Sequence, residues 1–171
     1  MFSYDPYAEL ATLRDFAPLT LTSTDIAEGQ PLPRAQWGAG GGGSDTSPEL
    51  SWSGAPEGTR SFALSCFDPD APTGSGFWHW AVYDIPLDVT SVSTGQNPPG
   101  KVLRNETGVP GFIGAGPPPG TGTHRYFFVV DALDVEHLDI TEDVTPAILG
   151  FQRHFHSLAR GVLVATATAD D

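Results

Sequence analysis

Phe62-Ala63-Leu64-Ser65-Cys66-Phe67-Asp68-Pro69-Asp70-Ala71-Pro72 is the stretch on which the fold turns. Phe62, Leu64 and Cys66 are apolar at every second position, and the fourth member of the row is the carboxylate of Asp68. Side chains alternate between the two faces of a strand, so the pattern predicts a strand over 60–68 with Asp68 at the end of an apolar row. The prolines fix φ and favour extended backbone at Asp68 and Ala71. An extended Asp68-Pro69-Asp70 would turn Asp70 the same way as Asp68. Phe77-Trp78-His79-Trp80 then opens a second strand-like run to Ile85. In it His79, Ala81 and Tyr83 share one face, and Trp78, Trp80 and Val82 the other. Both faces are largely apolar, as in a strand covered on both sides. Two acids, a histidine and aromatic walls this close in sequence point to a small polar site in an apolar pocket.

A third strand is predicted over His124–Leu133, where His124, Tyr126, Phe128 and Val130 share a face. Again a polar residue heads an apolar row. Before it, Gly114 to Gly122 is almost entirely glycine and proline, which excludes helix and central strand. Shorter strands are expected at Leu19–Ser23, Leu50–Ser53, Thr90–Ser93 and Val102–Arg104, with a short helix around Tyr7–Leu13. Near the C-terminus, Ile148, Phe151, Phe155, Leu158 and Val162 recur at helical spacing. Thr145 would cap this helix, Pro146 open it and Gly161 end it, with Asp143 and Arg160 suiting the dipole. Val162–Ala169 reads as a last strand. The class is therefore all-β, a sandwich with a C-terminal helix and short peripheral helices, which can also be filed as α+β. No linker or repeat divides it: 1–171 is one domain with 1–18 as an N-terminal extension.

The sequence carries 21 acids against 8 bases, a net charge of −13, and Lys101 is its only lysine. Such a surface lacks the basic footprint of a nucleic-acid binder. No run reaches the length of about 18 apolar residues that spans a membrane, and no signal peptide is visible. The lone Cys66 precludes an internal disulfide and reads as a buried small hydrophobe. A cytoplasmic location is expected.

Three clusters are candidates for one site: Asp68 with Asp70, His79, and His124 with Tyr126 and the glycines before them. Histidine and tyrosine donate to an anion, and glycine lets backbone N–H groups approach it. The carboxylates orient the histidines. They are expected to outweigh burial and favour the protonated imidazoles, so that phosphate binds more tightly as pH falls. The same residues would suit a metal, since two histidines and an aspartate form a facial triad. No cofactor is expected. His137, His154 and His156 read as ordinary surface or half-buried residues. A hydrolase would need a nucleophile: there is no G-x-S-x-G elbow, and Ser75, between Gly74 and Gly76, is the nearest serine to His79. The glycine stretch Gly38–Ser44 fits G-x-G-x-x-G but has neither the strand nor the helix a dinucleotide loop needs.

Asp68-Pro69-Asp70-Ala71-Pro72, Phe77-Trp78-His79-Trp80 and the run from Gly116-Pro117-Pro118 to His124-Arg125-Tyr126 together resemble the phosphatidylethanolamine-binding protein family. Ser47-Pro48-Glu49-Leu50-Ser51-Trp52 and Gly58-Thr59-Arg60-Ser61-Phe62 are similar to its bacterial and archaeal Raf-kinase-inhibitor-like subgroup. The resemblance runs from about Leu21 to the final strand. It implies a sandwich with an anion pocket at one end, formed by Asp68, Asp70, His79, Gly116, Pro117, Pro118, His124 and Tyr126. It also implies a non-enzymatic binding or regulatory protein for a small anion or phospholipid headgroup, with a kinase or protease as further partner. The alternative is a metal-dependent or hydrolytic enzyme using the same pocket. Two stretches depart from the family wording, Gly38–Ser44 by its length and Thr107–Gly114 by its residues. A homodimer is implied as well, and Trp37, Phe112 and Ile113 are apolar residues in predicted loops that would need cover.

Overall fold

The computed structural model describes residues 3–169. In chain order the elements are α1 (Pro6–Leu13), β1 (Ala17–Pro18), β2 (Thr20–Thr22), β3 (Leu50–Ser53), β4 (Ser61–Asp68), β5 (Phe77–Pro86), β6 (Ser91–Val92), β7 (Lys101–Val102), β8 (Thr123–Leu133), α2 (Pro146–His156) and β9 (Ser157–Thr168). Single turns of tighter helix lie at Arg34–Gln36 and Ala39–Gly41. The larger sheet has six strands in the order β1-β9-β8-β4-β5-β7, and the smaller has three, β2-β3-β6. All pairings are antiparallel except β1 with β9. No helix among the described residues is long and apolar enough to cross a membrane.

The alternation in β4 and β8 decides the layering. Phe62, Leu64 and Cys66 join Tyr126, Phe128 and Val130 in one core against Leu50 and Trp52 of the small sheet. Trp52 meets Phe62 edge to face, with ring centroids 5.7 Å apart. The opposite residues turn to the helices: Ala63, Ala81, Tyr83 and Leu133 pack with Leu149 of α2, and Phe127 and Val129 with Tyr7 of α1. The result is the expected sandwich, with both helices on the outer face of the larger sheet.

Three sequence expectations are corrected. The apolar repeat near the C-terminus does not face the core. Helix α2 ends at His156, and Ile148, Phe151 and Phe155 are exposed while Leu149 and Arg153 are buried. Pairing of β9 with β8 along its length claims the chain from Ser157 onward, so Leu158 and Val162 belong to a strand. Gly161 therefore caps nothing. A Cβ there would stand 2.8 Å from the carbonyl oxygen of Leu19, so glycine is needed for the close approach of the neighbouring chain. Thr145 makes no side-chain cap bond, and Ser157 closes the helix through Oγ donating to the Arg153 carbonyl at 2.7 Å.

Arg160 does not serve a helix dipole. It lies in β9 opposite Asp131 and grips it with two bonds, Nε to Oδ1 at 2.6 Å and Nη2 to Oδ2 at 3.0 Å. Arg153 Nε sits 3.1 Å from the same carboxylate as an ion pair without hydrogen-bond alignment. Third, two of the three loop residues expected to need a partner's cover, Trp37 and Phe112, find it within the chain, while Ile113 is half-buried. Trp37 is buried and bridges to Ala115, and Phe112 lies 5.7 Å from Trp80 and 6.4 Å from Phe128.

Candidate functional site

At one end of the larger sheet, the close of β4, the start of β5 and the start of β8 stand side by side. Asp68 ends β4 and turns the chain itself: Oδ1 accepts the N–H groups of Asp70 at 2.8 Å and Ala71 at 3.1 Å. Its other oxygen, Oδ2, takes His124 Nδ1 at 2.7 Å. This carboxylate is only 2% exposed, so its partners are essential to it.

His79 reaches the same end by an irregularity. Cys66 pairs with Trp80 but Phe67 pairs with Trp78, which leaves His79 as an extra residue in β5. A bulge of this kind breaks the alternation and re-aims a side chain. His79 therefore joins the face of Trp80 and Val82 instead of that of Ala81 and Tyr83, where strict alternation had placed it. Its ring lies between Phe77, 4.7 Å away, and Tyr126, 5.1 Å away. Nδ1 donates to the Ile113 carbonyl at 2.8 Å, so Nε2 is the nitrogen left to face the cavity.

His124 is 0% exposed and engaged at both nitrogens. Nε2 lies 2.8 Å from Thr121 Oγ1, which in turn donates to the Pro118 carbonyl at 2.6 Å. The threonine has one proton and the carbonyl can only accept it. Its oxygen therefore remains as an acceptor toward Nε2, as the Asp68 carboxylate is toward Nδ1. Tyr126 differs: its hydroxyl is buried and has no hydrogen-bond partner among the described residues. The Gly116 backbone is felt there electrostatically but does not reach hydrogen-bond geometry.

These groups line a cavity of about 1210 Å³. Asp68, His79, Gly116, Pro117, Pro118, His124 and Tyr126, all expected from the sequence, lie on its wall. Asp70 does not. Its carboxylate turns to Arg125, on the other side of β8, with Nε at 2.7 Å, Nη2 at 2.9 Å and the backbone N–H at 3.0 Å. The turn made by Asp68 ends the extended geometry on which the parallel orientation of the two acids depended. Ser75 lies exposed in the Thr73–Gly76 turn, outside the lining. Trp80 is core, with its Nε1 donating to Asn97 at 2.8 Å, and Trp78 stacks on Phe67 across the other face.

Burial sets the electrostatics. At His79 it pushes the pKa below the ordinary value, and the Ile113 carbonyl and Asp68 offset this only in part. The expectation that carboxylates would win is thus reversed at this residue: the nearest one, Asp68, is already committed to His124. Burial, with help from Asp68, raises Tyr126, so the phenol keeps its proton as a donor. Cys66, beneath the site, is also raised by burial.

Sequence reasoning missed Arg34, Trp37, Asp45 and Phe77 on the wall, and Thr121 behind it. It also missed that the glycine stretch after Trp37 borders the cavity. Gly114 shows the reason for that placement: a Cβ there would come within 2.3 Å of the Trp37 carbonyl carbon. Gly116, by contrast, has open space where a Cβ would stand. The legible signal was the paired glycine runs on either side of one tryptophan, which only the fold brings together.

A family model described as phosphatidylethanolamine-binding protein matches residues 22–168. The UPF0098 protein YbhB of Escherichia coli is 44% identical over 156 residues, covering 86% of this chain and 98% of that one. A putative lipoprotein of Mycobacterium tuberculosis, LppC, is 36% identical over 155 residues, with 86% and 72% covered. Among solved structures, E. coli YbcL, described as a new member of the mammalian PEBP family, superposes with a TM-score of 0.85. Its sequence identity is 38%, and 90% of this chain and 100% of that chain are covered.

Proposed function

Because this chain belongs to the phosphatidylethanolamine-binding protein family, we propose that it binds a small anion, a phosphate or phosphorylated headgroup, at the cavity floor without turning it over. One observation carries this reading: the Tyr126 hydroxyl, buried and unpartnered, shares the cavity with His79, whose one engaged nitrogen is Nδ1. A buried hydroxyl without a partner is costly, and an anionic oxygen is the acceptor it lacks. Neutral His79 offers a lone pair at Nε2, so a phosphate would share its own proton there or bring one from solvent. Asp68 is turned to His124 and to the N–H groups of Asp70 and Ala71, which satisfy its oxygens and reduce its repulsion of the ligand.

Metal chemistry has less support. A facial triad needs free lone pairs converging on one ion. His124 spends both nitrogens on Asp68 and Thr121, and His79 spends Nδ1 on Ile113. Covalent hydrolysis through Ser75, the serine nearest His79 in sequence, has less support as well, because Ser75 does not line the cavity.

Calorimetric titration with inorganic phosphate and with phosphoethanolamine tests the proposal. Replacement of His79 by alanine should weaken both ligands by about 1.5–3 kcal/mol, the range for hydrogen bonds to charged groups. Tyr126→Phe should cost a similar amount by removing only the donor oxygen. Unchanged binding in both variants would place the anion elsewhere, and hydrolysis of a phosphoester by the wild type would replace binding with catalysis.

A further inference from the structure

Away from the cavity, an unbalanced group of charges is buried on the outer face of the larger sheet, where the helices pack. Asp131 of β8 and Arg160 of β9 stand opposite each other, and Arg153 reaches them from α2. The side chain of Asp131 is 0% exposed, and those of Arg153 and Arg160 are 2% and 5% exposed. Arg160 donates to both oxygens of Asp131, and Arg153 Nε stands 3.1 Å from Oδ2, so two guanidiniums lie side by side on one carboxylate. Charges at this depth are kept when each is paired. Here two cations share one anion, and neither arginine has an ion pair with another acid among the described residues.

The surroundings supply no second anion. Tyr7 of α1 accepts Arg153 Nη2 at 3.3 Å, but burial raises its pKa, so the phenol keeps its proton and carries no charge. Phe16 and Tyr7 cover Arg160 with their ring faces, at 4.1 Å and 5.4 Å from Cζ. Ring faces attract a cation and leave its N–H groups unmet. Nη1 of Arg153, Nη1 of Arg160 and the Ser65 hydroxyl, on the same sheet face one pair along from Asp131, are buried without a hydrogen-bond partner among the described residues. Guanidinium nitrogens only donate, so what the cluster lacks is an acceptor. A water molecule would answer the donors and leave the excess positive charge, which is costly in a low-dielectric interior. An anion answers both.

We propose that Arg153 and Arg160 together hold a small monovalent anion of halide size, at a site separate from the cavity. The two Nη1 groups and the Ser65 hydroxyl are its donors, and with it the cluster has two cations and two anions. Its burial selects the ion. Arginine side chains this little exposed are out of reach of a phosphoester, whereas a halide can be enclosed as the chain folds. The rings that close the site, Tyr7 and Phe16, belong to the N-terminal extension, ahead of the family match at residues 22–168.

The test is thermal unfolding of the full chain as sodium chloride or sodium bromide replaces sodium gluconate, an anion too large to be enclosed, at constant ionic strength. The melting temperature should rise along a saturating curve, by about 5–10 °C at a hundred times the dissociation constant. Arg153→Met leaves Arg160 and Asp131 as a balanced pair and should abolish the rise, and the comparison with wild type removes general salt effects. Anomalous diffraction from wild-type crystals grown in bromide should show the ion between Arg153 and Arg160, and this decides alone if Arg153→Met does not fold. Equal melting of the wild type in the three salts would overturn the proposal. A rise that survives Arg153→Met, or a bromide map with no ion at the cluster, would overturn it too.

Discussion

At His79 two influences oppose each other, and burial is the larger. The sign of the pH dependence follows. Without ligand the pKa lies below the ordinary value of about 6.5. An anion at Nε2 would favour the protonated form and raise it, so binding takes up a proton between the two values. Phosphate affinity should rise as pH falls from about 8 towards 6, by at most about tenfold per unit for one proton. His79→Gln retains the ligand's own titration, so the difference between the two profiles isolates the imidazole. On folding, the same depressed value acts in the other direction. Its stability contribution is full above the unfolded value and is lost as pH falls through the folded one, and phosphate should reduce that loss. Thermal melts with and without phosphate across this range would check the sign. Asp70 gives a second prediction at this scale. Its carboxylate clamps Arg125 and lies off the cavity wall. Asp70→Asn should cost about 3 kcal/mol, near the range for breaking a buried pair, and leave phosphate affinity unchanged. A loss of affinity without a loss of stability would return Asp70 to the site.

Among the elements, β4 and β8 were the most legible, because an apolar row two residues in period admits one orientation against a core. β5 was legible as a strand but not in its facing. The extra residue at His79 appears only when its partners on β4 are known, since a bulge is a property of a pair. For α2 the sequence pattern misled. Ile148, Phe151 and Phe155 have the spacing of a buried stripe, yet α2 seats on the sheet through Leu149 and Arg153. A buried arginine reads as polar in sequence, and Asp131 of β8, with the Tyr7 hydroxyl accepting from Nη2 at 3.3 Å, makes its burial tenable. The two readings predict opposite stability series. With the observed packing, Phe151→Ser and Phe155→Ser should change stability by no more than about 0.5 kcal/mol each. Leu149→Ala should cost about 2–5 kcal/mol. Denaturant unfolding of the three variants decides between them.

For the whole molecule, the fold and the end of the sheet where the site lies follow from three strand ends beside proline- or glycine-rich loops, and loops gathered at one end of a sandwich carry function. What was not legible depends on contacts between distant segments. Trp37 meets Gly114 and Ala115, Asp45 bonds Gly114, and Thr121 satisfies His124; none of these pairings leaves a periodic trace in sequence. The outcome is a cavity with divided roles: Asp68 and His124 hold each other, His79 and Tyr126 line the cavity, and Arg34 stands beside the glycines on the same wall. Nitrogen-15 spectra of the histidine side chains, recorded near neutral pH during phosphate titration, test this division most directly. The account predicts that His79 Nε2 starts unprotonated and moves toward the protonated signal as phosphate is added, while the His124 signals, held by Asp68 and Thr121, stay where they are. A His79 signal unmoved at saturating phosphate, or a His124 that titrates with the ligand in its place, would contradict it.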